Sequence, residues 1–458
     1  MTQRHHPRHR TPGLLLALLG ILFGGRAGAS DAASGEYGPT PDLPAPEKST
    51  LPVVHIARAK PWTDGAMPTP AHGLSIRPLA LGLKHPRWLY VLPNGDVLVA
   101  ESEAPEKPED SKGIVKKVRK LVMKRAGSGA SASADRITLL RPAAGGQLAE
   151  RHVLLEHLHS PIGMALVDGT LYIANTDAVV GVPYHVGDTA IRATPKPLCE
   201  LPGGPLNHHW TKSLIASSDG RYLYVGVGSN SNAGENGLPA EAERAAVWQI
   251  NRLSGEHTIY ASGLRNPVGL AWQPHTHALW VTVNERDELG DHLPPDYMTA
   301  IHPGGFYGFP FSYYGQHVDG RVKPQDPKLV AHALMPDYAL GAHTASLGLA
   351  WSGDSKLPTF ERGMFVGQHG SWNRRTLNGY KVIFVPFGED GLPAGLPRDV
   401  VTGFVGEDGV AHGRPVGVAV DKGGALLVAD DVGNAVWQVS AAPGASIQPV
   451  ASSQPQRR

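Results

Sequence analysis

An arginine and an asparagine open the stretch at residues 262–297, SGLRNPVGLAWQPHTHALWVTVNERDELGDHLPPDY, and a loop of carboxylates, glycine and paired prolines closes it. Arg265 and Asn266 can bind an anion or a carbonyl. The loop beginning at Asn284 can hold a hard cation through oxygen atoms. An apolar strand, a tight turn and a Trp-bearing second strand lie between the two. The chemistry implied is a metal-dependent site on a β scaffold.

Such a site needs a rigid frame, and the chain repeats one. A turn with Asp, Asn or Gly followed by alternating apolar residues recurs at 93–102, 167–176, 217–228, 274–285, 361–372 and 421–431. Period-2 apolarity beside turn residues predicts hairpins rather than helices. Six copies in a chain with 55 Gly and 40 Pro predict an all-β fold, a six-bladed β-propeller. A β-sandwich would use far fewer strands, and no alternating helical segments support a βαβ fold. A second phrase precedes several hairpins: HPRWLYVL, SPIGMALV, RNPVGLAW and RPVGVAVD. In a propeller this phrase is the innermost strand of a blade, so the residues before it face the axis. His85, His159, Arg265 with Asn266, and Arg414 are thereby expected around one mouth.

The flanks bear on compartment and partners. Arg4, Arg8 and Arg10 precede an apolar run at 14–23, and Ala27-Gly28-Ala29 supplies small residues for cleavage. A membrane anchor needs about 20 apolar residues, roughly twice this run. Residues 1–29 therefore read as a signal peptide, and the protein is expected to be periplasmic. Residues 30–69 are a Pro- and Ala-rich lead-in, 70–441 the propeller and 442–458 a tail. A basic insertion at 111–134 interrupts the first blade. Within 112–125, Ile114, Val115, Val118, Leu121 and Val122 share one helical face while lysines and arginines cover the rest. That helix is expected to pack on the first blade or to touch an anionic membrane surface. Cys199 is the single cysteine, which excludes both an intrachain disulfide and a CxxCH haem site. A net charge of +1 gives no case for nucleic-acid binding.

Five phrases in order carry a resemblance: HHWTKSLIASSDGRYLYVGVGSN, GLRNPVGLAW, NERDELGDHLPPDY, GQHGSWNR and GRPVGVAVD. Together they resemble the soluble sugar dehydrogenases that use pyrroloquinoline quinone (PQQ), the L-sorbosone dehydrogenase branch in particular. The resemblance runs from about Leu79 to Val439. It implies oxidation of an aldose or aldosone, with hydride passing to the quinone and electrons leaving to an external acceptor, a cytochrome or a quinone.

The resemblance also implies roles. A histidine five residues before the leucine of the following strand takes the proton from the sugar's C1 hydroxyl; here that is His209, with His208 beside it. Imidazole suits the task because it titrates near neutral pH. The family's acidic partner for this base is replaced by Ser229, which follows Gly228. His159 stands where the family carries Gln or Asn, so His159, His208 and Ser229 fall on the substrate side. PQQ bears three carboxylates and an ortho-quinone, and its pocket needs fixed cations. Arg265 would lie over the reactive carbonyl, Asn266 would bond the cofactor and Arg414 would meet a carboxylate. His412 takes the place of a first arginine, and the family's lysine is replaced by His369 or Arg374. Calcium would be held by main-chain carbonyls of Arg286, Asp287 and Glu288. Two other classes compete: a calcium-dependent lactonase on the same fold, and a non-catalytic binding propeller. A lactonase has no tricarboxylate to hold, so Arg265-Asn266 and Arg414 argue against it.

Overall fold

Strands dominate the computed structural model, which describes residues 35–47, 53–105, 132–143 and 145–444. Six four-stranded blades surround an axis. Their innermost strands are Pro86–Val91, Met164–Val167, Leu214–Ala216, Pro267–Trp272, Ser346–Trp351 and Pro415–Val420, and these define blades 1 to 6. Each inner strand packs against the next, and the sixth returns to the first. This is the six-bladed all-β propeller that the repeats predict, with the second recurrent phrase innermost.

The second strands show why alternation alone describes them poorly. Val97–Glu101, Leu279–Val283 and Leu426–Asp430 are buried at every residue, because each faces a neighbouring blade on both sides. One apolar cluster fills each junction. Trp280, Met298 and Tyr338 of blade 4 meet Met364, Val366 and Val385 of blade 5. Leu427 and Val436 of blade 6 meet Val97 and Leu140 of blade 1. Each such side chain contributes roughly 1.5–3 kcal/mol on burial, so the ring of junctions is the core.

At the axis the limiting factor is space. A Cβ on Gly163 would lie 2.1 Å from the Leu214 nitrogen, and one on Gly348 would lie 2.2 Å from the Val416 oxygen. These glycines let one inner strand abut the next.

The ring closes through the N-terminal side of the chain. Leu74–Leu81 pairs antiparallel with Ala435–Ala441 as the outer strand of blade 6. The lead-in lies on the propeller rather than ahead of it: Tyr37–Gly38 extends blade 4, Arg58–Ala59 pairs with Val410–Ala411, and Thr69–Pro70 extends blade 5. The signal segment at 1–29, the basic helix expected at 112–125 and the tail beyond 444 lie outside the described residues. Among the described residues no helix is long and apolar enough to cross a membrane.

Asp430 joins these parts. Its Oδ1 accepts from the backbone N–H groups of Arg414 and Gly433, each at 2.8 Å. Its Oδ2 accepts from the indoles of Trp62, in the lead-in, at 2.8 Å and Trp437, in blade 6, at 3.0 Å. Asp430→Ala leaves four donors without this acceptor, the Arg414 N–H and the Trp437 indole in fully buried contacts, and an unsatisfied buried group costs about 1–3 kcal/mol. The expected result is a loss of at least about 3 kcal/mol, read as a lower urea midpoint at unchanged slope.

Candidate functional site

The residues just before the inner strands converge at one mouth of the axis. Between blades 1, 5 and 6, Asp431 is fully buried and ringed by one arginine and two histidines. Arg87 Nη1 pairs directly with its Oδ2. His369 Nε2 stands 2.9 Å from Oδ2 and 3.2 Å from Oδ1, and His85 Nδ1 stands 3.7 Å from Oδ2. Burial opposes ionisation of Asp431, yet His369, Arg87 and His85 together hold its carboxyl far below the usual range. Burial pushes His369 down to about 4, against the pull of Asp431 and with Arg414 and Arg87 adding to the descent.

Arg414 is the unfinished member of this group. It is 4% exposed, its guanidinium lies 4.8 Å above the Tyr380 ring, and among the described residues its Nε and Nη2 have no hydrogen-bond partner. A buried guanidinium is costly unless an anion meets it. Sequence patterning singles out His369 and Arg414 but not Arg87 or Asp431. Arg87 sits inside a phrase that reads as strand, and Asp431 inside one that reads as turn.

Blade 3 brings His209 to the same mouth. Its Nδ1 lies 2.9 Å from the Ser229 carbonyl and 3.0 Å from Ser229 Oγ. Ser229 Oγ donates its hydrogen to the Ser231 carbonyl at 2.7 Å. Nδ1 must therefore be the N–H donor, which makes Nε2 the basic nitrogen. Gly228 packs His209 against blade 4, since a Cβ there would lie 2.5 Å from both Asn266 Oδ1 and His209 Cβ. His208 stands edge-on to His209 with ring centroids 4.7 Å apart. Below them Lys212 is fully buried, its Nζ reaching the His209 carbonyl at 3.4 Å and that of Trp210 at 3.3 Å. Burial lowers its ammonium to about 7, and Arg244 adds to the effect.

Blade 4 supplies the oxygen-rich loop. Arg265 commits four of its five N–H donors to it and to blade 3: Nε to the Asn232 carbonyl, Nη1 to the carbonyls of Asn284 and Glu285, and Nη2 to Asn232 Oδ1. Its remaining Nη2 hydrogen lies toward Asp287, 4.0 Å away. Asn266 Oδ1 is buried with no partner. Arg286 turns inward to pair with Asp319, and its Nε donates to the Asp287 carbonyl at 2.9 Å. Arg321 Nη1 donates to the Glu288 carbonyl at 2.8 Å. Each carbonyl keeps a second lone pair, so both can still ligate a hard cation. Burial opposes ionisation of Asp287, but the His343 contact at 3.4 Å and Arg265 outweigh it and hold the carboxyl below its ordinary value.

Two expectations change. Arg374 is not directed to the axis: it makes a two-pronged pair with Glu36 of the lead-in, at 2.8 and 3.2 Å, and also bonds the Ala342 carbonyl. Glu36 is 6% exposed, so its burial requires this arginine, and His369 alone stands where the family's lysine is expected. His412 also turns away, with Nδ1 3.0 Å from the Lys60 carbonyl. His159 lies farther out and pairs with Asp177 at 2.7 Å.

Comparison with known proteins agrees with the propeller fold. Residues 68–304 and 318–442 match the family model described as TrAA12-like. The chain is 27% identical over 305 residues to an uncharacterized protein of Borreliella burgdorferi, covering 63% of this chain and 77% of that one. It is 28% identical over 181 residues to the aldose sugar dehydrogenase YliI of Escherichia coli, 37% of this chain and 47% of the relative's length. Its fold is similar to the holo form of the pyranose dehydrogenase PQQ domain from Coprinopsis cinerea, with a TM-score of 0.65 and 18% identity over 84% of this chain and all of that one.

The loop carries a pH signature. Burial raises Glu285 to about 7, against the attraction of Arg265. The folded protein then keeps a proton that the unfolded chain, with an ordinary value of 4.5, releases. Stability from this group is fully present below pH 4.5 and is lost as pH rises through about 7. In Glu285→Gln the fall in Tm between those values should flatten; a slope equal to the native one would remove Glu285 as its source.

Proposed function

This chain belongs to the TrAA12-like family, and from that we propose that it is a PQQ-dependent dehydrogenase of sugars that also uses calcium. The observation that carries the reading is Arg414. A buried guanidinium with two partnerless nitrogens at the axial mouth fits a carboxylate of a tricarboxylate cofactor. Asn266 Oδ1, also buried without a partner, fits a donor on the same ligand. Arg87 adds positive charge beside them. The carbonyls of Arg286, Asp287 and Glu288, with the Asp287 carboxylate alongside, would hold calcium. When bound, the quinone supplies the hydride acceptor and calcium polarises it.

The chain's own residues do the rest. His209 Nε2 removes the proton from the C1 hydroxyl or hydrated aldehyde of an aldose or a sorbosone-like aldosone, because Ser229 fixes Nδ1 as the N–H. Arg265, clamped by Asn232 and the loop carbonyls, places a fixed positive charge beside the reacting oxygen. His208 and Ser229 flank the base, and His159 contacts the sugar from blade 2. With one cysteine and no CxxCH motif, electrons pass to an external acceptor, a cytochrome or quinone. The N-terminal segment and the enzyme class support a periplasmic location, with signal peptide 1–29, lead-in 30–69 and catalytic propeller 70–441.

Chelator-treated protein should reduce a dye with sugar only after both PQQ and calcium are restored; turnover without either addition would overturn the reading. In His209→Ala the turnover rate should fall roughly 100- to 10,000-fold, the span of a positioned general base, while PQQ half-saturation stays near native. A crippled His208→Ala beside a working His209→Ala would move the base by one residue.

Arg414→Ala should behave oppositely. Truncating one partner of a buried charge pair costs about 2–5 kcal/mol, so PQQ half-saturation should rise more than about tenfold. Saturating PQQ should recover much of the plateau rate. An unchanged half-saturation would remove Arg414 from the pocket.

A further inference from the structure

A cleft lies at the mouth between blades 2 and 3, beside the loop that carries His209. His159, Thr176, Asp177, Gly203, Gly204 and Asn207 line it. His159 Nδ1 meets Asp177 Oδ2 at 2.7 Å, and the two side chains are 52% and 46% exposed. An exposed polar pair contributes little to stability, so stability does not account for this one. The carboxylate only accepts, so Nδ1 carries the shared N–H; Asp177 Oδ1 is left as an acceptor, and His159 Nε2, on the opposite edge of the ring, as a second polar atom. Their complement is a pair of hydroxyl groups.

The cleft is held in shape. A Cβ on Gly203 would lie 2.6 Å from Asp177 Cβ, so the glycine makes room for the carboxylate. Thr176 Oγ1 donates to the Trp210 carbonyl at 2.9 Å and accepts from Asn207 Nδ2 at 2.8 Å. Asn207 Oδ1 in turn accepts from Arg244 at 3.0 Å. The wall is thus tied to the backbone on both sides of His209. Asn207 is two residues from His209, so at most about 7 Å of chain separates cleft from base.

We propose that this cleft is a carbohydrate subsite in which Asp177 and His159 bind a hydroxyl pair on the part of the sugar remote from the oxidised carbon. The inference rests on the sugar dehydrogenase reading. The hydroxyl pair can belong to the same ring or to a following glycosyl unit, and substrates separate the two. Protein loaded with PQQ and calcium is assayed on glyceraldehyde, which has no ring, on glucose and on maltose, as native chain, Asp177→Ala and Asp177→Asn.

Loss of a hydrogen bond to a charged group should lower the kcat/KM ratio by about tenfold in both variants. A fall in the glucose-to-glyceraldehyde ratio assigns the same ring; a fall only in the maltose-to-glucose ratio assigns the next unit. Both ratios remaining within about twofold of native overturn the subsite. A second arm is independent of turnover: titration calorimetry of the full chain without PQQ against glucose and maltose. Native binding weakened in Asp177→Ala supports the subsite even if no sugar is oxidised, which would sink the dehydrogenase reading alone. Equal binding by native chain and variant, or none by either, overturns the subsite.

Discussion

Six strands must meet at one axis, and how closely they can meet governs the rest of the molecule. Gly163 and Gly348 sit where any side chain would strike the next strand's backbone. Because the inner strands touch, their first residues are forced together whatever their chemistry. The propeller thus converges His209, Asn266, Arg414 and the Asp431 cluster from separate blades, on positions that a rigid core prevents from drifting. A site built this way needs no lid to bring its groups together.

Convergence creates an electrostatic problem that the loops answer. Charged groups packed at an axis lose their water, and each must find a partner or change protonation. Asp431 finds Arg87 and His369, Glu36 finds Arg374, and Arg286 finds Asp319. Glu285, held mainly by two backbone N–H groups, instead retains its proton toward neutrality. Arg414 is the exception among the buried guanidiniums, with a π face beneath it and no anion.

The inner strands and the hairpins that follow were legible because their periodicity is local. So were His209 and the Arg265-Asn266 pair, whose phrases carry a family pattern. What stayed hidden depends on contacts far apart in the chain. Nothing near Leu74–Leu81 announces that it closes the last blade, since its partner Ala435–Ala441 lies over 350 residues away in pairing order. Arg374 reads as a candidate anchor within GQHGSWNR, but Glu36, 338 residues earlier, claims it. The lead-in is Pro-rich and without period, yet the Trp62 indole and the Glu36 carboxylate each bond a blade and fix it there. Composition describes average behaviour and misses such single anchors.

The replacement of an acid by Ser229 shows how a site can retain geometry while changing energetics. A carboxylate behind an imidazole does two things: it selects the tautomer, and it stabilises the imidazolium. Ser229 performs the first through its own carbonyl and Oγ, both accepting from Nδ1, while its hydroxyl hydrogen goes to Ser231. It cannot perform the second. The buried Lys212, reaching the His209 carbonyl from below, adds positive rather than negative character when protonated. In the proposed reading, the tautomer of His209 is thus fixed without a carboxylate behind the base. In that reading the negative charge that develops on the substrate oxygen faces Arg265 on the neighbouring blade, held in place by Asn232 and the loop carbonyls.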